Sequence, residues 1–183
     1  MKKVIVVGSV NIDHILKVDR FPVNGETVLS NGYELREGGK GANQAVAISR
    51  LGVPVSFIGK VGKDLFADML TLKLKKEKIN IHGIVIENLE KTGSAFITVD
   101  KNGSNIIVVN SGANSKLNID DIDINEKILL DCDIVVLQME IPKNVVEYVI
   151  NIADKAHKLL LLNLSPFTYI NEVILQKVDF FFF

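Results

Sequence analysis

The sequence is poor in the residues that usually announce a metal site or a disulfide framework. It has one cysteine and three histidines, and its 21 basic and 22 acidic side chains nearly cancel to a net charge of -1 over 183 residues. The single Cys132 rules out an intramolecular disulfide. It sits in the apolar stretch "LLDCDIVVLQ", which favours a structural thiol over a nucleophile. His14, His82 and His157 are scattered, with no metal-ligand spacing to cysteine, so no metal site is expected. Without a charge excess, no field draws the chain to nucleic acid or to an anionic membrane. No apolar run approaches the roughly 20 residues needed to cross a bilayer. The start "MKKVIVVGSVNID" has the basic opening of a signal peptide, but its apolar run is short and Asn11 and Asp13 follow at once. It reads as a strand. A cytoplasmic globular domain is the expectation, at 48% hydrophobic and 23% charged residues.

What is present alternates. "KVIVVG", "VPVSFIG", "DIVVLQME" and "KLLLLNLSP" are apolar runs suited to strands buried on both faces. Between them lie helical patterns. "ANQAVAISRLG" ends on Gly52, a C-terminal stop, and "DLFADMLTLKLKKEK" places Leu65, Met69 and Leu72 on one stripe. "KNVVEYVINIADKAH" follows Pro142, which opens helices well. A helix is also expected at Glu126–Leu130, and "EVILQKVDFFFF" reads as a short helix leading into a strand. Such alternation predicts an α/β domain with a mostly parallel sheet. Two segments break the pattern, near 14–34 and 92–112. Both carry Asn-Gly turn signals, and the second reads as a hairpin from Gly93 to Asn110. They predict a small antiparallel flap inserted twice into one domain spanning 1–183.

The densest local signal is "EGGKGANQAV", Glu37–Val46. A P-loop would require glycine where Glu34 stands and Ser or Thr where Gly41 stands. A dinucleotide loop would require glycine at Gln44. Neither template fits. Glycines that allow close backbone approach still precede a helix from about Gly41, whose free N–H groups and dipole, with Lys40 and Asn43, suit a hydroxylated molecule or an anion. Asn11, Asp13 and Glu140 stand just past the ends of two predicted strands. In open α/β sheets that edge is where ligands bind. Each feature alone also fits a linking turn, a cap or a solvated strand end. Their convergence on one edge favours a site.

"GSVNIDH", "RFPVNGETV", "EGGKGANQAVAISRLG", "GKVGKDLF", "TGSAFITVDKNGSN" and "LQMEIP", in this order, resemble the N-terminal part of the ribokinases of the PfkB family of sugar kinases. The resemblance runs from residue 1 to about 179. It implies a three-layer α/β/α domain with a β lid over the sugar, and it assigns the two odd β segments to that lid. It implies that Asn11, Asp13, Gly39, Lys40, Gly41, Asn43 and Glu140 bind the sugar and that Ala95 and Ile97 cover it from the lid. It also implies transfer of the ATP γ-phosphoryl group to the 5-hydroxyl of ribose, with Mg2+ and a monovalent cation, K+, in the full-length enzymes. Lid-to-lid dimers are a further implication.

The chain departs from the family in the elements that it lacks. The G-x-G-D motif, whose helix N-terminus forms the anion hole and whose Asp is the general base, does not occur, and "GKVGKD" matches a different family segment. The nucleotide-binding strands and the monovalent-cation loop are also missing from the match. No catalytic residue is therefore assigned, and the chain by itself is expected to be inactive. "VDFFFF" suggests a chain interrupted inside a central strand, with an apolar edge prone to association. A pentose-binding fragment without catalysis, an inert remnant, or a kinase for deoxyribose, a nucleoside or another sugar are the alternatives.

Overall fold

A computed structural model describes residues 2–182. Phe183, the last residue of the phenylalanine tail, lies outside the described residues. In the main sheet, β1 (Val4–Val7), β4 (Val55–Gly62), β5 (Asn80–Glu87), β8 (Ile134–Gln138), β9 (Leu159–Asn163) and β10 (Phe180–Phe182) run in the order β10-β9-β8-β1-β4-β5. Every pairing in it is parallel.

The two faces of β1 define the layers. Val4 and Val6 pack with Phe57, Val61, Ala42, Ala45, Leu70 and Leu74. Ile5 and Val7 pack with Leu137, Leu129, Ile122, Val145, Val149 and Ile150. One layer therefore holds α1 (Lys40–Arg50) and α2 (Leu65–Lys76), and the other holds α3 (Ile119–Ile124), α4 (Glu126–Leu130) and α5 (Lys143–Lys155). A short α6 (Glu172–Leu175) packs on α5. This is the three-layer architecture expected from strands that are apolar on both faces. Cys132 is buried in this core, and burial pushes its thiol up to about 11, which suits the structural reading.

A second sheet holds β2 (Asn11–Lys17), β3 (Gly32–Gly38), β6 (Gly93–Val99) and β7 (Asn105–Asn110) in the order β3-β2-β6-β7. Its pairing corrects the antiparallel expectation. β2 is antiparallel to β3, and β6 to β7, but β2 and β6 run parallel, so the lid is mixed. The reason is topological: both strands leave the main domain in the same direction.

Three local readings also change. Asn31-Gly32 is no hairpin turn, because Gly32 already pairs with Lys17 as the first residue of β3. The stripe of α2 that faces the sheet is Ala67, Leu70 and Leu74, while Leu65 and Leu72 are exposed. The polar stretch after Ser115 contains α3, started by an Asn118–Asp121 capping box that was there to be read. At the far edge, β10 pairs with β9, and Phe180 and Phe181 are exposed.

Candidate functional site

The C-terminal ends of β1 and β8 lie side by side, since the strands pair from Val4↔Ile134 to Val7↔Leu137. From β1 the chain crosses through Gly8–Val10 into lid strand β2. From β8 it passes through Met139 and Glu140 to the start of α5. The two-residue period of β2 turns Asn11 and Asp13 to one face. Below the lid, a cavity of about 660 Å³ is lined by Asn11, Asp13, Gly39, Lys40, Asn43 and Glu140 among others. The lid supplies its apolar roof. Ala95 lies opposite Val109 and Ile97 opposite Ile107, and all four line the cavity.

Of the residues singled out in the sequence, Gly41 stands apart. It is buried behind the cavity wall, and a Cβ there would come within 2.7 Å of Ser9 N and 2.8 Å of Gly8 C. It lets α1 approach the β1–β2 crossing. Gly39 has φ +90, and a side chain there would meet Val10 Cα at 2.8 Å. Gly38, the other half of the pair, leaves the space occupied by the Asp13 carboxylate: a Cβ would sit 2.2 Å from Asp13 Oδ2.

The N-terminus of α1 is not the open anion cradle that its sequence suggests. Gly39 offers no side-chain cap. Instead Lys40 N donates to Glu140 Oε2 at 3.0 Å, Gly41 N to Ser9 Oγ at 3.3 Å, and Ala42 N to Ser9 O at 2.9 Å. Asn43 N already bonds Gly39 O. Ser9 Oγ in turn donates to Glu140 Oε2 at 2.6 Å. The first orphan amides of the helix are therefore satisfied internally. Glu140 acts as a cap from across the sheet, and its charge suits the positive end of the helix dipole. Its other oxygen, Oε1, lies 3.6 Å from Lys40 Nζ.

Asp13 is half-buried beside this carboxylate. Burial first, and then the charge of Glu140, hold its carboxyl above the ordinary range, with His14 working the other way. A carboxylate that is incompletely solvated gains most from hydroxyl donors brought to it. The arrangement thus offers one carboxylate short of partners, one carboxylate locked in place, two side-chain amides and an ammonium, all under an apolar roof. Such a site matches a small polyhydroxylated molecule.

Two residues that the sequence reading passed over also shape the site. Ser9 is fully buried and joins Glu140 to α1. Asn114, on a 3-10 turn at Gly112–Lys116, is buried against the β1–β2 crossing. The described residues contain no group of three or more His, Cys, Asp or Glu side chains placed to hold a metal, and Lys40 is already paired.

The pfkB carbohydrate kinase family matches residues 1–183. Ribokinase of Haemophilus influenzae is 37% identical over 178 residues, covering 97% of this chain and 58% of that protein. The ribokinase of Thermotoga maritima superposes with a TM-score of 0.88 at 37% identity, over 99% of this chain and 59% of its own. A ribokinase of Arabidopsis thaliana, solved with ribose and ATP, superposes at 0.86 with 30% identity, over 98% of this chain and 59% of its own. The chain spans 33% to 59% of the length of such curated relatives. The matched family, the relatives and the shared fold agree, and the chain belongs to the pfkB family of carbohydrate kinases.

Proposed function

We propose that this chain is the sugar-binding portion of a ribokinase-type enzyme that transfers the γ-phosphoryl group of ATP to the 5-hydroxyl of D-ribose. The observation that carries the reading is the convergence of Asn11, Asp13, Lys40, Asn43 and Glu140 on one cavity under an apolar lid. In this reading Asp13 accepts hydrogen bonds from sugar hydroxyls, and Asn11, Asn43 and Lys40 donate to them. Gly39 brings the backbone to the sugar, Gly41 acts behind it, and Ala95 and Ile97 cover it.

Phosphoryl transfer depends on positioning and on stabilising the charge of the travelling group. The residues of this chain serve the first need: they bind and orient the acceptor and exclude water from one side. The G-x-G-D element that would meet the second is not among its 183 residues. ATP, Mg2+ and K+ belong to the proposal for the whole enzyme only. On the outer lid row, Leu35, Phe96 and Val108 are exposed apolar side chains joined as cross-strand neighbours through His14, which supports pairing of two lids.

Calorimetric titration of D-ribose into the purified chain tests the reading. Saturable heat that disappears in Asp13→Ala is the expected result, with no ATP turnover in a coupled assay. Absence of heat in the wild type overturns the sugar assignment, and turnover above background overturns the inactivity of this chain.

A further inference from the structure

Asn114 is 1% exposed, and its side chain makes three hydrogen bonds, all to the crossing from β1 into the lid. Its Oδ1 accepts from Val10 N at 3.0 Å. Its Nδ2 donates to Val10 O at 3.2 Å and to Asn11 Oδ1 at 2.7 Å. The first bond fixes the other two. A backbone N–H is a donor without alternative, so the oxygen of Asn114 faces it, and the nitrogen faces Val10 O and Asn11. A nitrogen with two protons requires an acceptor opposite, so Asn11 turns its oxygen inward. Asn11 Nδ2, which has no protein partner among the described residues, is then the atom left for the cavity that Asn11 lines.

Two further observations bear on this chain of bonds. A Cβ on Gly93 would lie 2.3 Å from both Asn11 Oδ1 and Asn114 Nδ2, so the glycine leaves room for the contact. The 3-10 turn that carries Asn114 is itself held, because Lys60 Nζ donates to Lys116 O at 3.1 Å and Ala113 N to Lys91 O at 2.8 Å.

We propose that Asn114 is a positioning residue that sets the hydrogen-bond polarity of Asn11, so that Asn11 meets a hydroxylated ligand as a donor. Its neighbour Asp13, when ionised, is an acceptor only. A sugar hydroxyl is both, so the pair reads two hydroxyl groups through opposite roles. The choice of ligand rests on the sugar reading above, whereas the orientation of the Asn11 amide does not.

The test is side-chain amide exchange by NMR on the full chain, followed by D-ribose titration. In the wild type without ligand, the Asn114 NH2 protons exchange slowly with water and those of Asn11 exchange fast. In Asn114→Asp the introduced carboxylate still accepts from Val10 N but repels Asn11 Oδ1. Asn11 turns over, and its NH2 protons become slow. Gly93→Ala wedges the contact without altering either partner and speeds the Asn114 exchange. Both variants lose roughly tenfold or more in D-ribose affinity. A purely structural role would lower the melting temperature without inverting the exchange rates. Fast Asn11 protons in both wild type and Asn114→Asp, or an Asn114 amide that is the faster of the two in the wild type, overturns the proposal. If the wild type binds no D-ribose, the sugar reading falls, and the exchange rates alone judge the polarity of Asn11.

Discussion

Val4–Val7 reads VIVV and Ile106–Val109 reads IIVV, yet the two stretches live in different surroundings. The first is β1, at 0–6% exposure in the centre of the main sheet, and the second is the middle of β7, at 50–63% exposure on the rim of the lid. Strand propensity is the same, since both are β-branched runs. The difference is topological. β1 has a parallel neighbour on each side and a helical layer on each face. β7 has one neighbour, faces the cavity with Ile107 and Val109, and turns Ile106 and Val108 away from it. The main sheet is held by burial. The lid joins the main domain at four crossings, where Ser9, Gly39, Thr92 and Asn114 make polar or close backbone contacts, and buries a smaller apolar set that includes Ile12, Ile15 and Ala95.

The sharpest way to break this contrast is to compare ion pairs in the two regions. Lys60 of β4 and Asp121 are both buried and lie 2.8 Å apart, whereas Arg36 and Glu34 of β3 form a solvent-facing pair. Asp121→Ala takes the nearest carboxylate from the buried Lys60 ammonium, leaving it Lys116 O and the more distant Glu87, and also removes the acceptor of the α3 capping box; together these are expected to cost about 3–5 kcal/mol in urea unfolding. Glu34→Ala should be indistinguishable from wild type. Equal effects would mean that the lid is not the loosely held part. Next come the matched apolar stretches. Ile5→Ala is expected to cost about 2–5 kcal/mol, and Ile106→Ala less than about 0.5 kcal/mol, in the same experiment. A large loss at Ile106 would show that a partner covers the lid in solution.

A smaller effect tests the cavity between the two regions. The Asp13 carboxyl is raised above its ordinary 3.8, chiefly by burial. The folded state therefore binds this proton more tightly than the unfolded chain, and ionised Asp13 lowers stability at neutral pH. Asp13→Asn should melt higher than wild type at pH 7, with the gap closing as the pH falls through the raised value towards 3.8. D-ribose binding to the wild type should weaken over the same interval, as the acceptor is lost. A gap independent of pH would place the cause elsewhere. The smallest effect lies in the loop between β2 and β3. Glu26 is held at about 2 by hydrogen bonds from Arg20 and from Val23 N. Its contribution is present above the ordinary 4.5 and is lost as the pH falls towards about 2. Arg20→Ala should return the Glu26 titration, followed by carboxyl NMR, towards 4.5.

The layered architecture was legible because β1, β4 and β8 are apolar at consecutive positions and alternate with helical patterns. The lid was legible through Asn-Gly signals and a two-residue period, but its parallel β2–β6 pairing was not, because no local pattern encodes which strands meet. That Asn11, Asp13 and Glu140 meet at one edge was legible from their places just past strand ends, and all three line the same cavity. The capping of α1 was hidden, since Glu140 reaches Lys40 N across 100 residues of chain. Asn114 was hidden for a related reason: it sits in a polar stretch that reads as loop, and its partners are more than 100 positions away. The α2 stripe was misjudged because Leu65, Met69 and Leu72 form as good a periodic row as Ala67, Leu70 and Leu74, and only the sheet decides between them.

The central claim is that this edge of the fold holds a sugar between a fixed domain and a lid. Titration of 15N-labelled chain with D-ribose tests it most directly. The account predicts saturable shifts at the backbone amides of Asn11, Asp13, Lys40, Asn43, Ala95 and Glu140, with the outward-facing Ile106 and Val108 of β7 and the amides of β9 unmoved. Shifts centred elsewhere, or none at saturating sugar, would contradict it.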